Sequence, residues 1–64
     1  MITLHRLNGE EIILNHYHIE IIEQLPDTII TLTNEKKYLV KETADQVITK
    51  IADYNRELFE KRNG

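Results

Sequence analysis

Ile19-Glu20-Ile21-Ile22-Glu23-Gln24, then Leu25-Pro26-Asp27-Thr28, then Ile29-Ile30-Thr31-Leu32-Thr33, then Asn34-Glu35 and Lys36-Lys37-Tyr38-Leu39-Val40: this stretch decides the fold. Three short runs rich in Ile, Thr, Val and Tyr alternate with turn residues. That is the pattern of antiparallel strands joined in a meander. Pro26-Asp27 suits the centre of a type I turn, since proline presets φ and Asp bonds nearby N–H groups. Such a turn sets Ile21 opposite Leu32 and Ile22 opposite Thr31. The turn at Asn34-Glu35 sets Ile30 opposite Leu39 and Thr31 opposite Tyr38. In that register Ile19, Ile21, Ile30, Leu32 and Leu39 share one face. Ile22, Ile29, Thr31, Tyr38 and Val40 share the other.

Upstream, Asn8-Gly9 separates Ile2–Leu7 from Glu10–Leu14. Asn-Gly between apolar runs signals a hairpin, because both residues tolerate the positive φ of a type I′ turn. A two-residue turn pairs Leu7 with Glu10, Arg6 with Glu11, His5 with Ile12 and Leu4 with Ile13. Ile2, Leu4 and Ile13 then share a face with an Arg6–Glu11 ion pair, and Leu7, Ile12 and Leu14 share the opposite one. Apolar side chains on both faces imply a small barrel or a contact with another subunit, unless a bulge reassigns them. Asn15-His16-Tyr17-His18 reads as a polar connector.

Downstream, Thr43-Ala44-Asp45-Gln46 is a capping box, with Asp45 where the helix dipole favours negative charge. Ala44, Val47, Ile48, Ile51, Tyr54 and Leu58 recur at spacings of three and four, an amphipathic helix. Val47, Ile48 and Ile51 are expected to cover the sheet. Tyr54, Leu58 and Phe59 reach further, either onto the same subunit or as a stripe for a partner. The expected architecture is α+β: a five-strand antiparallel meander or small partly open β-barrel, then one C-terminal helix. Strands are expected over roughly residues 2–7, 10–14, 18–24, 28–33 and 36–40, and the helix over 44–61.

The chain has 64 residues, no Cys and a formal charge of -3. Chains of this size form one domain and bury only about 60% of their unfolded surface. Without disulfides or thiolate metal sites, self-association is the common remedy. No apolar run approaches the roughly 20 residues of a membrane span, and the N-terminus lacks a signal-peptide layout. A cytoplasmic protein without direct membrane insertion is expected. The acidic balance argues against nucleic acid, and Lys36-Lys37 reads as a pair that keeps a turn soluble.

Little points to chemistry. On a strand, His16 and His18 would lie on one face about 7 Å apart, able to share a zinc ion with a third ligand from His5, Glu10 or Glu20. No specific ligand motif supports this, and surface residues in a connector are the plainer reading. Glu10-Glu11 and Glu20/Glu23 could serve as acid–base pairs, but no pocket is implied to tune them. Serine and cysteine, the commonest nucleophiles, are both absent. No enzyme activity, cofactor or metal is expected.

Read together, Arg6-Leu7-Asn8-Gly9, Leu14-Asn15, Ile19-Glu20, Ile22-Glu23, Pro26-Asp27-Thr28, Ile30-Thr31-Leu32, Lys37-Tyr38, Val40 and Glu42 resemble the small flagellar FlbD-type proteins. The likeness runs from Ile2 to about Val47. It leaves out His16-Tyr17-His18 and the C-terminal tail. It implies a non-enzymatic bacterial accessory protein of flagellar motility, associated with motor force during swarming, with no catalytic or metal residues to carry over. The expected role is a homo-oligomeric interaction module that touches a flagellar motor or stator protein, and through it the flagellar base. Its candidate contact residues are Arg6, Asn8, Asn15, Pro26, Asp27, Thr28, Tyr54, Leu58 and Phe59, beside a structural Gly9. The alternative is a small oligomeric RNA-binding regulator, since such β-proteins can bind RNA. It lacks a basic field and a stacking platform.

Overall fold

The computed structural model describes residues 1–63, with side chains described for residues 1–58. Five strands precede one helix: β1 (Ile2–His5), β2 (Glu11–Leu14), β3 (Ile19–Gln24), β4 (Thr28–Leu32), β5 (Lys37–Val40) and α1 (Ala44–Asn63). The strands form two antiparallel sheets, β1-β2 and β3-β4-β5. This corrects the expected single five-strand meander, and no closed barrel forms. A single bridge, Arg6 to Val40, joins the sheets, alongside a 2.8 Å bond from the Lys41 N–H to the His5 carbonyl. The strand beside β5 is therefore β1, because β2 is followed by a turn of 3-10 helix at His16–His18 instead of pairing onward.

All three hairpins differ from the expected register by one residue, for one reason: each loop has three residues. In the first, the Gly9 N–H bonds the Arg6 carbonyl and the Arg6 N–H bonds the Glu10 carbonyl. Gly9 has φ +92, whereas Asn8 has no positive φ. This is a type I turn closed by a left-handed residue, not a type I′ turn. The third hairpin repeats it: the Glu35 N–H bonds the Leu32 carbonyl, the Leu32 N–H bonds the Lys36 carbonyl, and Glu35 takes φ 72. Between β3 and β4, Leu25-Pro26-Asp27 forms the loop with a cis Leu25–Pro26 peptide, not a type I turn.

A one-residue slip moves side chains to the opposite face. Ile2 pairs with Leu14 and Leu4 with Ile12, so these four share the inner face. Thr3, His5, Glu11 and Ile13 face out. The expected second apolar face of this hairpin thus reduces to Ile13. In the larger sheet, a register shift between Ile19 and Ile21 puts Ile19 and Ile22 together. The inner face is Ile19, Ile22, Ile30, Leu32, Tyr38 and Val40. Ile21, Ile29, Thr31 and Leu39 lie outside.

Ile2, Leu4, Leu14, Ile30, Leu32, Val40 and Val47 are buried in one core, with Ile51 and Tyr54 packed on it. The helix begins as its capping box requires. The Gln46 N–H donates to Thr43 Oγ1 at 3.1 Å, and the Thr43 N–H donates to Gln46 Oε1 at 2.9 Å. Gln24 adds an acceptor for the Ala44 N–H at 2.7 Å. Val47, Ile51 and Tyr54 face the sheets. Ile48 does not, being 54% exposed.

Candidate interaction surface

Three asparagines build their turns in the same way. Asn8 Oδ1 accepts from the Glu10 N–H, Asn15 Oδ1 from the Tyr17 N–H and Asn34 Oδ1 from the Lys36 N–H, each at 3.0 Å. A side-chain amide bonding the backbone two residues on is the Asx device that favours turns. Asn8 also donates to Glu10 Oε1 at 2.7 Å.

The structure brings some of the sequence-derived candidates together and separates others. Arg6 bridges Val40, and Val40 pairs with Thr28, so Arg6 and Thr28 lie on one row across the sheets. Thr28 is buried, while Pro26 and Asp27 are exposed in the loop just before it. Asn15 belongs to the opposite end of β4, about 13 Å away at the rise of a strand. There the Thr33 N–H bonds the His18 carbonyl. Tyr54 is half-buried with its ring centre 4.9 Å from that of His16, edge to face, and Leu58 is exposed. Side-chain placement of Phe59 lies outside the described residues.

Beside Arg6 is a groove of about 420 Å³ lined by Arg6, Leu7, Asn8, Lys37, Tyr38 and Leu39. The Arg6 guanidinium carbon sits 5.4 Å from the centre of the Tyr38 ring, within cation–π range. The expected Arg6–Glu11 ion pair is not made, because Glu11 lies opposite His5. Lys37, Tyr38 and Leu39 enter the candidate surface only through the fold. Their alternation of polar and apolar residues read as an ordinary strand.

A second shallow groove, of about 610 Å³, surrounds the start of α1 and contains His5, Lys41, Glu42 and Asp45. Here Glu42 closes the gap between the sheets. Its Oε1 accepts from the His5 N–H at 2.9 Å, and its Oε2 lies 2.6 Å from His5 Nδ1. The β1-β2 ladder turns that N–H away from β2, so the carboxylate occupies the place of another strand. Burial pushes the Glu42 carboxyl up. Hydrogen bonds from the His5 ring, from the His5 backbone and from its own backbone, with the charge of His5, outweigh this and hold it below the ordinary 4.5. Sequence reading missed the pair, since 37 positions separate its members and no local pattern links them.

His16 and His18 do not share a strand face. His16 turns into the core, 6% exposed, with its ring 4.3 Å from that of Tyr17. His18 is exposed. Among the described residues, no three His, Asp or Glu side chains are grouped to hold a metal ion. Among the described residues, no helix is long and apolar enough to cross a membrane.

The outer face of the larger sheet carries exposed apolar side chains, with Glu23 and Lys37 on the same face. Ile21 and Leu39 are each 43% exposed, and Ile29 is half-buried between their strands. Thr31, in the same face, is buried beside them.

No curated protein and no solved structure matches the chain. Residues 1–59 match the profile of one family, described as flagellar and swarming motility proteins. The match passes through His16–His18 and most of α1, further than the sequence motifs alone extend. With that span of a 64-residue chain, the protein belongs to the FlbD family of flagellar and swarming motility proteins.

Proposed function

We propose that this protein is a non-enzymatic accessory of the flagellar motor, working by self-association and by contact with a motor or stator protein during swarming. The family match over residues 1–59 carries the reading. The exposed outer face of β3-β4-β5 supports the mode of action. Ile21, Ile29 and Leu39 lie on one face of the β-sheet, beside Glu23 and Lys37, where a second copy of the chain can cover them. We place the protein in the cytoplasm, at the flagellar base through its partner.

Deletion of the gene in a flagellated host tests the role. Swarming and motor torque under viscous load are expected to fall while filaments still assemble, and the wild-type gene is expected to restore both. Normal torque in the deletion strain would overturn the motility role.

A further inference from the structure

We propose that two copies of this chain pack the outer faces of their larger sheets together about a two-fold axis, with a Glu23–Lys37 ion pair at each end of the contact. The inference rests on the self-association proposed above and adds its geometry, its stoichiometry and the side chains that select it.

The register fixes where each side chain stands. Glu23, Ile29 and Leu39 form one row across β3, β4 and β5, and Ile21, Thr31 and Lys37 form the next. Counting along the antiparallel Arg6–Val40 bridge sets Leu7 beside Leu39, so the first row continues past β5. Ile21, Leu39 and Leu7 are exposed. Glu23 and Lys37 are exposed too, at opposite corners of the array. With strands about 4.8 Å apart and alternate residues about 6.8 Å apart, these corners are roughly 12 Å from each other, too far to pair within one copy. Their neighbours across the strands carry no charge: Ile29 stands next to Glu23, and Thr31 next to Lys37. Among the described residues, neither Glu23 nor Lys37 makes an ion pair.

Opposite charges at opposite corners make the face complementary to itself. The axis lies in the plane of the sheet, midway between Glu23 and Lys37 and at right angles to the line joining them. Turning a second copy over about it lays each glutamate on the other copy's lysine. The same operation brings Ile29 close to Leu39 of the second copy, so apolar groups meet between the two ion pairs. On an untwisted lattice the strands of the two copies then cross steeply, nearer the orthogonal than the aligned class of sheet packing. An axis along the strands would instead set Glu23 on Leu39, and an axis across them would set it on Ile21. Either would cover the carboxylate with an aliphatic side chain and give it no partner. A two-fold contact uses the same patch on both copies, so the assembly ends at two.

The test is a charge swap read by sedimentation equilibrium of the full chain at low salt. The wild-type mass is expected at twice 7.6 kDa. Glu23→Lys and Lys37→Glu should each weaken the dimer about tenfold or more, because each sets like charges together at both ends of the contact. Both positions are exposed, and an unchanged circular dichroism spectrum checks that the variants fold. Mixing the two single variants should restore a dimer made of one copy of each. Glu23→Lys/Lys37→Glu in one chain should restore it without mixing. A wild-type dimer unchanged by both single substitutions would overturn the geometry and leave self-association standing. Monomeric single variants that do not associate on mixing would overturn it as well, as would a wild-type mass above two copies. A monomeric wild type would overturn self-association itself, and this inference with it.

Discussion

Gly9 and Glu35 hold the same position in two turns of the same type, but only one of them suits it. Gly9 has φ +92 and Glu35 φ 72. Left-handed backbone brings a side-chain Cβ close to the following carbonyl, at roughly 1–2 kcal/mol. Glu35→Gly should therefore stabilise the chain by about 1 kcal/mol in urea unfolding. Gly9→Ala should destabilise it by a similar amount, and for conformational reasons alone, since a Cβ there meets nothing within 4 Å. The same comparison shows why register was not legible. Asn-Gly fits both a two-residue turn and a three-residue turn, and the choice depends on which residue takes positive φ. At Asn34-Glu35 the strained residue is a glutamate, which no local preference would select. Glu42 gives a third residue-scale expectation. Its carboxyl is harder to protonate in the folded chain than in the unfolded one. The stability it supplies is complete above pH 4.5 and lost as pH falls through its lower folded value. Glu42→Gln should lower the midpoint at neutral pH and flatten the acid limb of a stability–pH curve. An acid limb identical to wild type would contradict the clamp.

At the scale of elements, α1 separates what periodicity tells from what it does not. The capping box, the starting residue and the apolar spacing were all legible, because each is a local property of successive residues. Which edge of the apolar stripe meets the sheets depends on how the helix rotates against them. Val47 is fully buried, whereas Ile48, read as equivalent, is mostly exposed. Val47→Ala should cost on the order of 2 kcal/mol, since it removes methyl groups from a closed core. Ile48→Ala should change stability by less than about 0.5 kcal/mol. Equal losses at the two positions would mean that the helix sits in a different rotation. The strands repeat this division. Their number and order follow from residue type and turn placement, but the core does not: the expected register set Ile30 and Val40 on opposite faces, and both are buried in one core. The split into two sheets does not, because it depends on the His16–His18 turn and on Glu42 reaching back to His5, both outside any strand pattern. The candidate surface was half legible for the same reason. Arg6 and Asn8 were singled out at a turn, but the Tyr38 and Lys37 they face come from β5.

For the whole molecule, the corrected register narrows the case for self-association without removing it. The small sheet hides all but Ile13 of its apolar side chains, so it no longer contributes a broad second face. The larger sheet still presents Ile21 and Leu39 to solvent, with Ile29 half-buried between them, on a short chain with a small core. Two lysines on that face should prevent a second copy from covering it while leaving the inner core untouched. Light scattering at micromolar concentration tests this most directly. The expected mass is a whole multiple of 7.6 kDa, falling to 7.6 kDa in the Ile21→Lys/Leu39→Lys variant. A wild-type mass of 7.6 kDa across the concentration range would contradict it.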